Sequence, residues 1–524
     1  MGREDQITNE KIKKIAELRK LGINPYPNRY DVKNSTADLQ SKYTSLKNEE
    51  ITKDSVKIAG RLMGVRDLGK IAFGALNDGS GKIQIVLQDG ETPEKTAEFF
   101  KKFIDAGDFV GVEGTIFRTK RGELSVQVKD VKLLSKSILP LPEKFHGLQD
   151  DEERLRKRYL DIVLNPAVRE MFVRKSKFWQ TIRSFLLERG FLEVETPTLE
   201  NTTGGAEARP FITHHNALDI DVYLRISPEL WLKRLMVAGY PKVFEIGRIF
   251  RNEGMDAEHL QDYTQMEFYW AYADYNDGMK LVEEMYKKVA METFGTLKFK
   301  IKEFDIDLGK KWEIYDYVST IKKLTGIDVL DTSLEEVESK LKNLEMEYDK
   351  HGFNLTRGID TLWKFCRKKI AGPGFLINVP VMMEPLAKRM ESNSALVERY
   401  QIILAGSEVG KGFSELNDPI DQLERFEEQA KLREAGDQEA QMTDNEFVEA
   451  LKYAMPPTTG FGISERLFAF LEGKPIRETV IFPLMRPLKS EIKETKEESK
   501  PASKEPQKES SKTPSNDKPK KAKK

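Results

Sequence analysis

Short alternating stretches of hydrophobic and polar residues mark one part of this chain, residues 56 to 134. Glycine-containing turns at 77–81 and 120–122 interrupt the alternation. These turns supply the positive-φ residues that tight hairpins need, so we expect neighbouring strands to be antiparallel. The pattern predicts five strands, at 56–62, 72–77, 82–87, 109–117 and 124–133.

Five short strands joined in this way fit a small closed barrel, and an OB-fold is the best architectural match. Before them, residues 10–21 have the spacing of an exposed amphipathic helix that ends at Gly22. After them, LPLP at 139–142 begins a linker to a large region of mixed pattern. We therefore expect five parts: a helical extension at 1–50, an OB domain at 51–138, a linker at 139–165, a catalytic domain at 166–488 and a disordered Lys-rich tail at 489–524.

Composition excludes several classes of protein. No apolar run approaches the roughly 20 residues that a membrane-spanning helix needs. The single cysteine, Cys366, excludes an internal disulfide framework and fits a reducing compartment, and we expect a cytoplasmic protein. Because the formal net charge is only −1, a nucleic-acid partner would have to be bound by local basic patches.

The most informative segment is VFEIGRIFRNE at 243–253, followed by a polar loop and YTQMEFY at 263–269. It predicts two strands joined by a loop, with charged residues where a core-facing sheet would have apolar ones. An arginine on such a strand can clamp phosphate with two parallel hydrogen bonds, and a nearby glutamate can accept from an adenine amino group. A structural salt bridge would explain an isolated Arg-Asn-Glu triplet equally well.

Two further segments decide between these readings. The 243–269 segment resembles motif 2 of the class II aminoacyl-tRNA synthetases, GFLEVETP at 190–197 resembles motif 1, and GFGISERL at 460–467 is similar to motif 3. The chain further resembles the lysyl-tRNA synthetases in KFHGLQD, RPFITHHN, SPEL and GFSELND, at 144–150, 209–216, 227–230 and 412–418. The resemblance covers roughly residues 10 to 487.

The resemblance implies an α+β protein: a five-stranded OB barrel followed by a catalytic domain with a seven-stranded antiparallel sheet flanked by helices. It also implies a homodimer, with Pro197 at the proline of motif 1. The implied activity is ATP-dependent attachment of L-lysine to tRNA(Lys) through a lysyl-adenylate, with Mg²⁺ as the cofactor.

The resemblance assigns roles to residues at matching positions. Arg251 and Arg466 would be catalytic. ATP would be bound by Arg251, Glu253, His259, Tyr263 and Arg466. Lysine would be bound by Gly205, Glu229, Glu267, Tyr269, Phe413 and Glu415. Anticodon bases would be bound by Arg66, Phe73 and Gln84, and the metal by Glu408 and Gln401.

Several positions depart from the family pattern. Lys411 replaces an asparagine of the amino-acid pocket, and its charge would repel a substrate ammonium unless a neighbouring glutamate pairs with it. In the motif 2 loop, Glu258 replaces a phosphate-facing arginine and Leu260 an asparagine. Gln401 replaces a carboxylate expected to bind magnesium and offers only a neutral oxygen.

Two alternatives remain open. One is a synthetase-like enzyme with another job: Lys411 favours the use of a different amino acid, and the N-terminal barrel opposes the transfer of lysine to a protein. The other is a non-catalytic RNA-binding paralogue. Such a protein would be expected to have lost its phosphate-binding arginines, whereas Arg251 and Arg466 are both present.

Overall fold

A computed structural model describes residues 2–142, 148, 150–254, 256, 258–348, 350, 353–437 and 439–488. The tail predicted at 489–524 lies outside the described residues, as does most of the KFHGLQD run. The chain forms two compact units, the first ending at Leu164 and the second beginning at Asn165. The predicted linker, 139–165, contains two short helices that belong to the first unit.

The residues described in the first unit form five strands and five helices: α1 (Arg3–Lys20), α2 (Thr36–Lys42), β1 (Ile51–Asp67), β2 (Ile71–Asn77), β3 (Lys82–Gln88), α3 (Glu94–Phe103), β4 (Phe109–Arg118), β5 (Leu124–Ser135), α4 (Asp151–Arg156) and α5 (Arg158–Leu164). The sequence pattern found α1 but placed its start seven residues too late, and it missed α2 and α3. The first turns of α1 are almost wholly polar, so hydrophobic spacing gives no signal there.

The five predicted strands close into a barrel in the order β1-β2-β3-β5-β4. Four neighbouring pairs are antiparallel as expected, but β3 and β5 are parallel, so the expectation of antiparallel neighbours is wrong for this pair. The reason is α3, which joins β3 to β4 so that β5 returns between them. Strand β1 extends beyond its prediction because it pairs with both β4 and β2, and it passes so close to β2 at Gly60 that an added Cβ would lie 2.6 Å from the carbonyl oxygen of Asn77.

The second unit contains nine helices and fifteen strands in its described part: α6 (Pro166–Leu187), β6 (Leu192–Glu193), β7 (Leu199–Glu200), β8 (Ile212–His215), β9 (Ile220–Leu224), α7 (Glu229–Val237), β10 (Lys242–Phe250), β11 (Asp262–Ala271), α8 (Tyr275–Phe294), β12 (Lys298–Ile301), β13 (Phe304–Asp307), β14 (Glu313–Asp316), α9 (Tyr317–Thr325), α10 (Leu334–Asn343), α11 (Leu355–Arg367), β15 (Gly374–Ile377), β16 (Val379–Pro380), β17 (Leu396–Val397), β18 (Arg399–Leu404), β19 (Ser407–Ser414), α12 (Pro419–Glu434), α13 (Asn445–Leu451), β20 (Thr458–Ser464) and α14 (Arg466–Glu472).

The main sheet has the order β14-β15-β18-β19-β20-β11-β10-β6. It has eight strands where the resemblance implies seven, and its two edge pairs, β14 with β15 and β10 with β6, are parallel rather than antiparallel. All inner pairs are antiparallel. Helices cover both faces, since Phe268 packs in one buried cluster with α6 and α8, and its neighbour Tyr269 in another with α7. A charged side chain on these strands therefore lies either inside the packed core or in a cavity between the sheet and the helices.

A search of the described helices finds none that is both long and apolar enough to cross a membrane.

Candidate active site

A cavity of about 400 Å³ opens on the face of the sheet formed by β11, β19 and β20. Every residue predicted for ATP, lysine or metal binding lines it: Gly205, Glu229, Arg251, Glu253, His259, Tyr263, Glu267, Tyr269, Gln401, Glu408, Phe413, Glu415 and Arg466. The departures Glu258, Leu260 and Lys411 line it as well. The structure therefore brings together residues that are spread over more than 260 positions of the chain.

Three carboxylates meet at one end of the cavity, which we call the acidic end: Glu229, Glu267 and Glu415. All three are buried. Glu229 is the first residue of α7, Glu267 lies on β11, and Glu415 follows β19. Two glycines make room for them. A Cβ on Gly460 would lie 2.2 Å from Glu415 Oε1, and one on Gly205, whose φ is +83°, would lie 2.7 Å from the Cβ of Glu229.

Two of these acids share one internal cation, Lys233. Its Nζ lies 2.7 Å from Glu229 Oε1 and 2.5 Å from Glu415 Oε2, and its side chain is fully buried. Burial alone would lower the pKa of Lys233, but the Glu229 and Glu415 carboxylates outweigh it and raise that pKa above its usual value. Lys233 therefore remains an ammonium and holds both acids in place.

Glu267 is held by neutral donors instead. Ser227 Oγ donates to Oε1 at 2.7 Å, Gln265 Nε2 donates to Oε1 at 2.5 Å, and the Tyr269 hydroxyl donates to Oε2 at 3.0 Å. Burial, together with the nearby Glu229 charge, raises the pKa of Glu267 to about 7. Burial also raises the pKa of Glu415, opposed by the charge of Lys233. Three carboxyl groups thus face one ammonium among the described residues, and a second ammonium brought by a ligand would favour their ionised forms.

Two arginines mark the opposite end, which we call the cationic end: Arg251 and Arg466. Arg251 follows β10 directly, and its Cζ lies 5.7 Å from the centroid of the Tyr263 ring. Among the residues that the structure describes, the hydrogen bonds of its guanidinium are two long ones to the carbonyl of Ile226, at 3.3 and 3.4 Å, so it can still bind a ligand anion. Burial raises the pKa of Glu253, opposed by the charge of Arg251.

Two charged residues that depart from the family pattern, Lys411 and Glu258, form ion pairs within the protein. Lys411 Nζ lies 3.2 Å from Oε2 of Glu384, whose Oε1 lies 2.8 Å from Nε of Arg399. The pairing that the sequence required of Lys411 is therefore present. In the motif 2 loop, Glu258 contacts the guanidinium of Arg466 and lies 3.0 Å from Nζ of Lys302.

The two predicted metal ligands differ in what their oxygens do. Glu408 accepts a hydrogen bond from Trp363 Nε1 at 2.6 Å on Oε1. Gln401 uses its amide oxygen to accept from Arg399. Within the described residues there is no cluster of three or more His, Cys, Asp or Glu side chains that could bind a metal by themselves.

The three anticodon candidates share the outer face of the barrel. Arg66 on β1 lies opposite Phe73 on β2, and Gln84 on β3 lies opposite Ala75, two residues along β2. Phe73 is outside the buried core of the barrel, to which its neighbours Ala72 and Leu76 belong. Gln84 donates to Ser125 Oγ at 2.9 Å. This face presents an aromatic ring between a cation and an amide.

Comparison with known proteins agrees with this geometry. The model of the class II tRNA synthetases (D, K and N) matches residues 150–486, and that of the OB-fold nucleic acid binding domain matches residues 56–134. The lysine–tRNA ligase of Thermotoga maritima is 43% identical over 93% of this chain and 97% of its own length. Those of Nostoc punctiforme and a Roseiflexus species are 44% identical, over 93% and 92% of this chain and 89% and 99% of theirs.

The chain belongs to the class II lysyl-tRNA synthetases. The sequence interpretation of this synthetase missed several residues that shape its cavity. Lys233 lies one helical turn after Glu229, and this i, i+4 spacing of Glu and Lys was a readable signal for the pair. Glu384 and Arg399 gave no local signal. Arg399 lies on β18, which pairs with β19 and its Lys411, and Glu384 reaches both cations from the segment after β16 by tertiary contact.

Proposed function

We propose that this synthetase attaches L-lysine to tRNA(Lys), with ATP as the energy source and a lysyl-adenylate as the intermediate. The observation that carries the proposal is the charge of the acidic end, where the described residues place three buried carboxyl groups around one ammonium, Lys233, which pairs with only two of them. A lysine side chain supplies the second cation that this end lacks. An uncharged amino acid would leave the excess negative charge buried and unpaired, which is unfavourable.

In this proposal the substrate ammonium binds at Glu267, the one acid of the three with no cationic partner among the described residues. Tyr269 and Phe413 cover the apolar stem of the substrate. Gly205 leaves space for its α-amino end, because a side chain there would meet Glu229 and Ser227. The lysine-binding set is Gly205, Glu229, Glu267, Tyr269, Phe413 and Glu415.

At the cationic end, the substrate carboxylate attacks the α-phosphorus of ATP, the bond to the β-phosphate breaks, and pyrophosphate leaves. Arg251 neutralises the charge that develops on the α-phosphate, and Arg466 binds the γ-phosphate. Glu253 accepts a hydrogen bond from the adenine amino group, and Tyr263 stacks on the adenine ring. His259, whose imidazole lies against the carboxylate of Asp256, is the remaining ATP-binding residue. The terminal hydroxyl of the tRNA then attacks the acyl carbon and AMP leaves.

Magnesium is proposed as the cofactor, held by the carboxylate of Glu408 together with substrate phosphates. The residues present fit this use, because Mg²⁺ is commonly bound by one or two carboxylates plus phosphate oxygens. Gln401 is the second proposed ligand, although Arg399 donates a hydrogen bond to its amide oxygen. Bound magnesium would stabilise the negative charge of the triphosphate.

The outer face of the barrel is proposed to bind the anticodon through Arg66, Phe73 and Gln84. Stacking of a base on an aromatic ring is worth about 1–3 kcal/mol, so Phe73→Ala should raise KM for tRNA about tenfold or more. Exchange of ATP with pyrophosphate without tRNA should not change. Ile51→Ala removes an exposed apolar residue of the same barrel and is the matched control. An unchanged KM for tRNA in Phe73→Ala would contradict the assignment.

A homodimer is proposed to form through the region of motif 1, around Pro197. Apolar side chains there are exposed, among them Leu192 at the β6 edge of the sheet, 47% exposed, and Leu199. Leu192→Glu should give monomers in sedimentation equilibrium. Ile314→Glu, at the opposite edge of the sheet, is the control and should leave dimers intact. We place the enzyme in the cytoplasm because tRNA and ATP are available there.

Exchange between ATP and pyrophosphate, measured with each of the twenty amino acids, tests the proposed function. We expect exchange that depends on lysine alone. Exchange with a different amino acid, or none with any, would overturn the assignment of the acidic end. Adding Glu267→Gln to the same assay ties the result to the cavity, because this variant should lose exchange at low lysine concentration.

A further inference from the structure

Glu258 stands where the family pattern has a phosphate-facing arginine, yet donors converge on its carboxylate. Arg466 contacts Oε2, Lys302 Nζ lies 3.0 Å from Oε1, and Ser407 Oγ lies 3.2 and 3.3 Å from the two oxygens. A guanidinium, an ammonium and a hydroxyl around one planar anion form a donor set that also suits a phosphoryl group. The carboxylate of Glu258 therefore occupies a small anion site.

The donors of this site also contact one another and a shared ring. Arg466 Cζ lies 5.7 Å and Lys302 Nζ 5.1 Å from the centroid of Phe470. Lys302 Nζ lies 3.3 Å from Oγ of the buried Ser407. Lys302 itself stands in the turn between β12 and β13 with φ +54°, a conformation that residues with side chains rarely adopt. These contacts would keep both cations in place if Glu258 moved away.

We propose that Lys302, Ser407 and Arg466 form the binding site for the β- and γ-phosphates of ATP and for pyrophosphate, and that Glu258 occupies this site when no nucleotide is bound. Lys302 supplies the positive charge that position 258 lacks. The phosphate oxygens of the nucleotide replace the carboxylate of Glu258 on Arg466 and Lys302. This inference rests on the proposed function, since it takes ATP as the nucleotide.

Its test is the KM for ATP, pyrophosphate and lysine in the exchange reaction. Lys302→Ala should raise KM for ATP and for pyrophosphate about tenfold or more, the usual effect of removing a charged hydrogen-bond donor, and leave KM for lysine unchanged. Lys302→Arg should recover most of the loss. Lys300→Ala is the matched control, because Lys300 lies on the same hairpin and pairs with Asp305 at 3.2 Å. Glu258→Gln should lower KM for ATP, because it removes the competing anion.

A double variant separates phosphate binding from a merely structural pairing of Lys302 with Glu258. If Lys302 binds phosphate, Lys302→Ala still raises KM for ATP in a Glu258→Ala background. If it only pairs with Glu258, the change is silent in that background, and this result overturns the inference. A higher KM for ATP in Glu258→Gln would overturn the proposed role of Glu258.

Failure of the proposed function looks different. The unmodified enzyme would then show no lysine-dependent exchange, and the phosphate site is tested instead by calorimetric titration of pyrophosphate. Weaker binding of pyrophosphate to Lys302→Ala than to Lys300→Ala supports the site. Equal binding to the two variants overturns it.

Discussion

At the acidic end of the cavity, all three glutamates are buried, and each is hydrogen-bonded or ion-paired within the protein. At the cationic end, by contrast, Arg251 makes long hydrogen bonds to a backbone carbonyl, and Arg466 is paired with the partly exposed Glu258. The acidic end is thus organised before any ligand arrives. The cationic end uses a removable internal anion. Selection of the amino acid needs a rigid pocket of fixed charge, while pyrophosphate must be released after each reaction.

The largest effect is expected from Lys233→Met, which would break the organisation of the acidic end. Lys233 is the cation that pairs with Glu229 and Glu415 in the described part of the chain, and breaking a buried ion pair by removing one partner costs about 3–5 kcal/mol. Denaturation by urea should show that loss, and lysine-dependent exchange should fall with it. Lys280→Met, an exposed lysine on α8, is the control. Unchanged stability in Lys233→Met would show that the two acids are protonated rather than paired.

Glu267→Gln should separate binding from stability at the same end. Because neutral donors hold Glu267, the amide should fold as well as the acid, while kcat/KM for lysine should fall about 100-fold through loss of a buried charge pair with the substrate. The matched control is Glu245→Gln. Glu245 lies directly across from Glu267 on β10 but pairs with Arg225. Glu245→Gln should therefore lower the free energy of unfolding and leave KM for lysine unchanged. Equal effects of the two substitutions on KM for lysine would contradict the assignment.

The pH dependence of lysine binding gives a second measure of Glu267. Burial raises the pKa of this carboxyl from 4.5 to about 7, so the folded protein retains a proton that the unfolded chain has lost. This group therefore lowers the free energy of unfolding as pH rises from about 4.5 through about 7. Lysine binds the ionised form, so KM for lysine should fall between pH 6 and 8 and then level off. The step should be absent in Glu267→Gln, and its persistence there would assign it to another group.

The sequence predicted the strands of the barrel and both strands of motif 2 because alternation and glycine turns are local signals. The resemblance identified cavity residues at both ends, since its motifs mark where each chain segment enters the site. Neither the pattern nor the resemblance could predict pairs of residues or strands that are brought together only by the tertiary fold. Lys302 meets Glu258 across 44 residues through a hairpin turn, and the parallel pair of β3 and β5 depends on α3, whose mixed pattern gave no prediction.

The smallest effect is expected from Glu384→Gln, which removes the carboxylate that pairs with Lys411 in the cavity. Glu384 compensates the charge of Lys411, whose side chain is 44% exposed, so solvent screens much of the repulsion that the substitution would release. KM for lysine should rise only roughly threefold at low salt, and less at high salt. Lys411→Asn should remove the salt-dependent part of the rise in the double variant, whereas Arg399, the buried second partner of Glu384, stays uncompensated with or without Lys411. A salt-dependent rise that survives Lys411→Asn would mean that Glu384 contacts the substrate itself, and the acidic end would then extend to a fourth carboxylate.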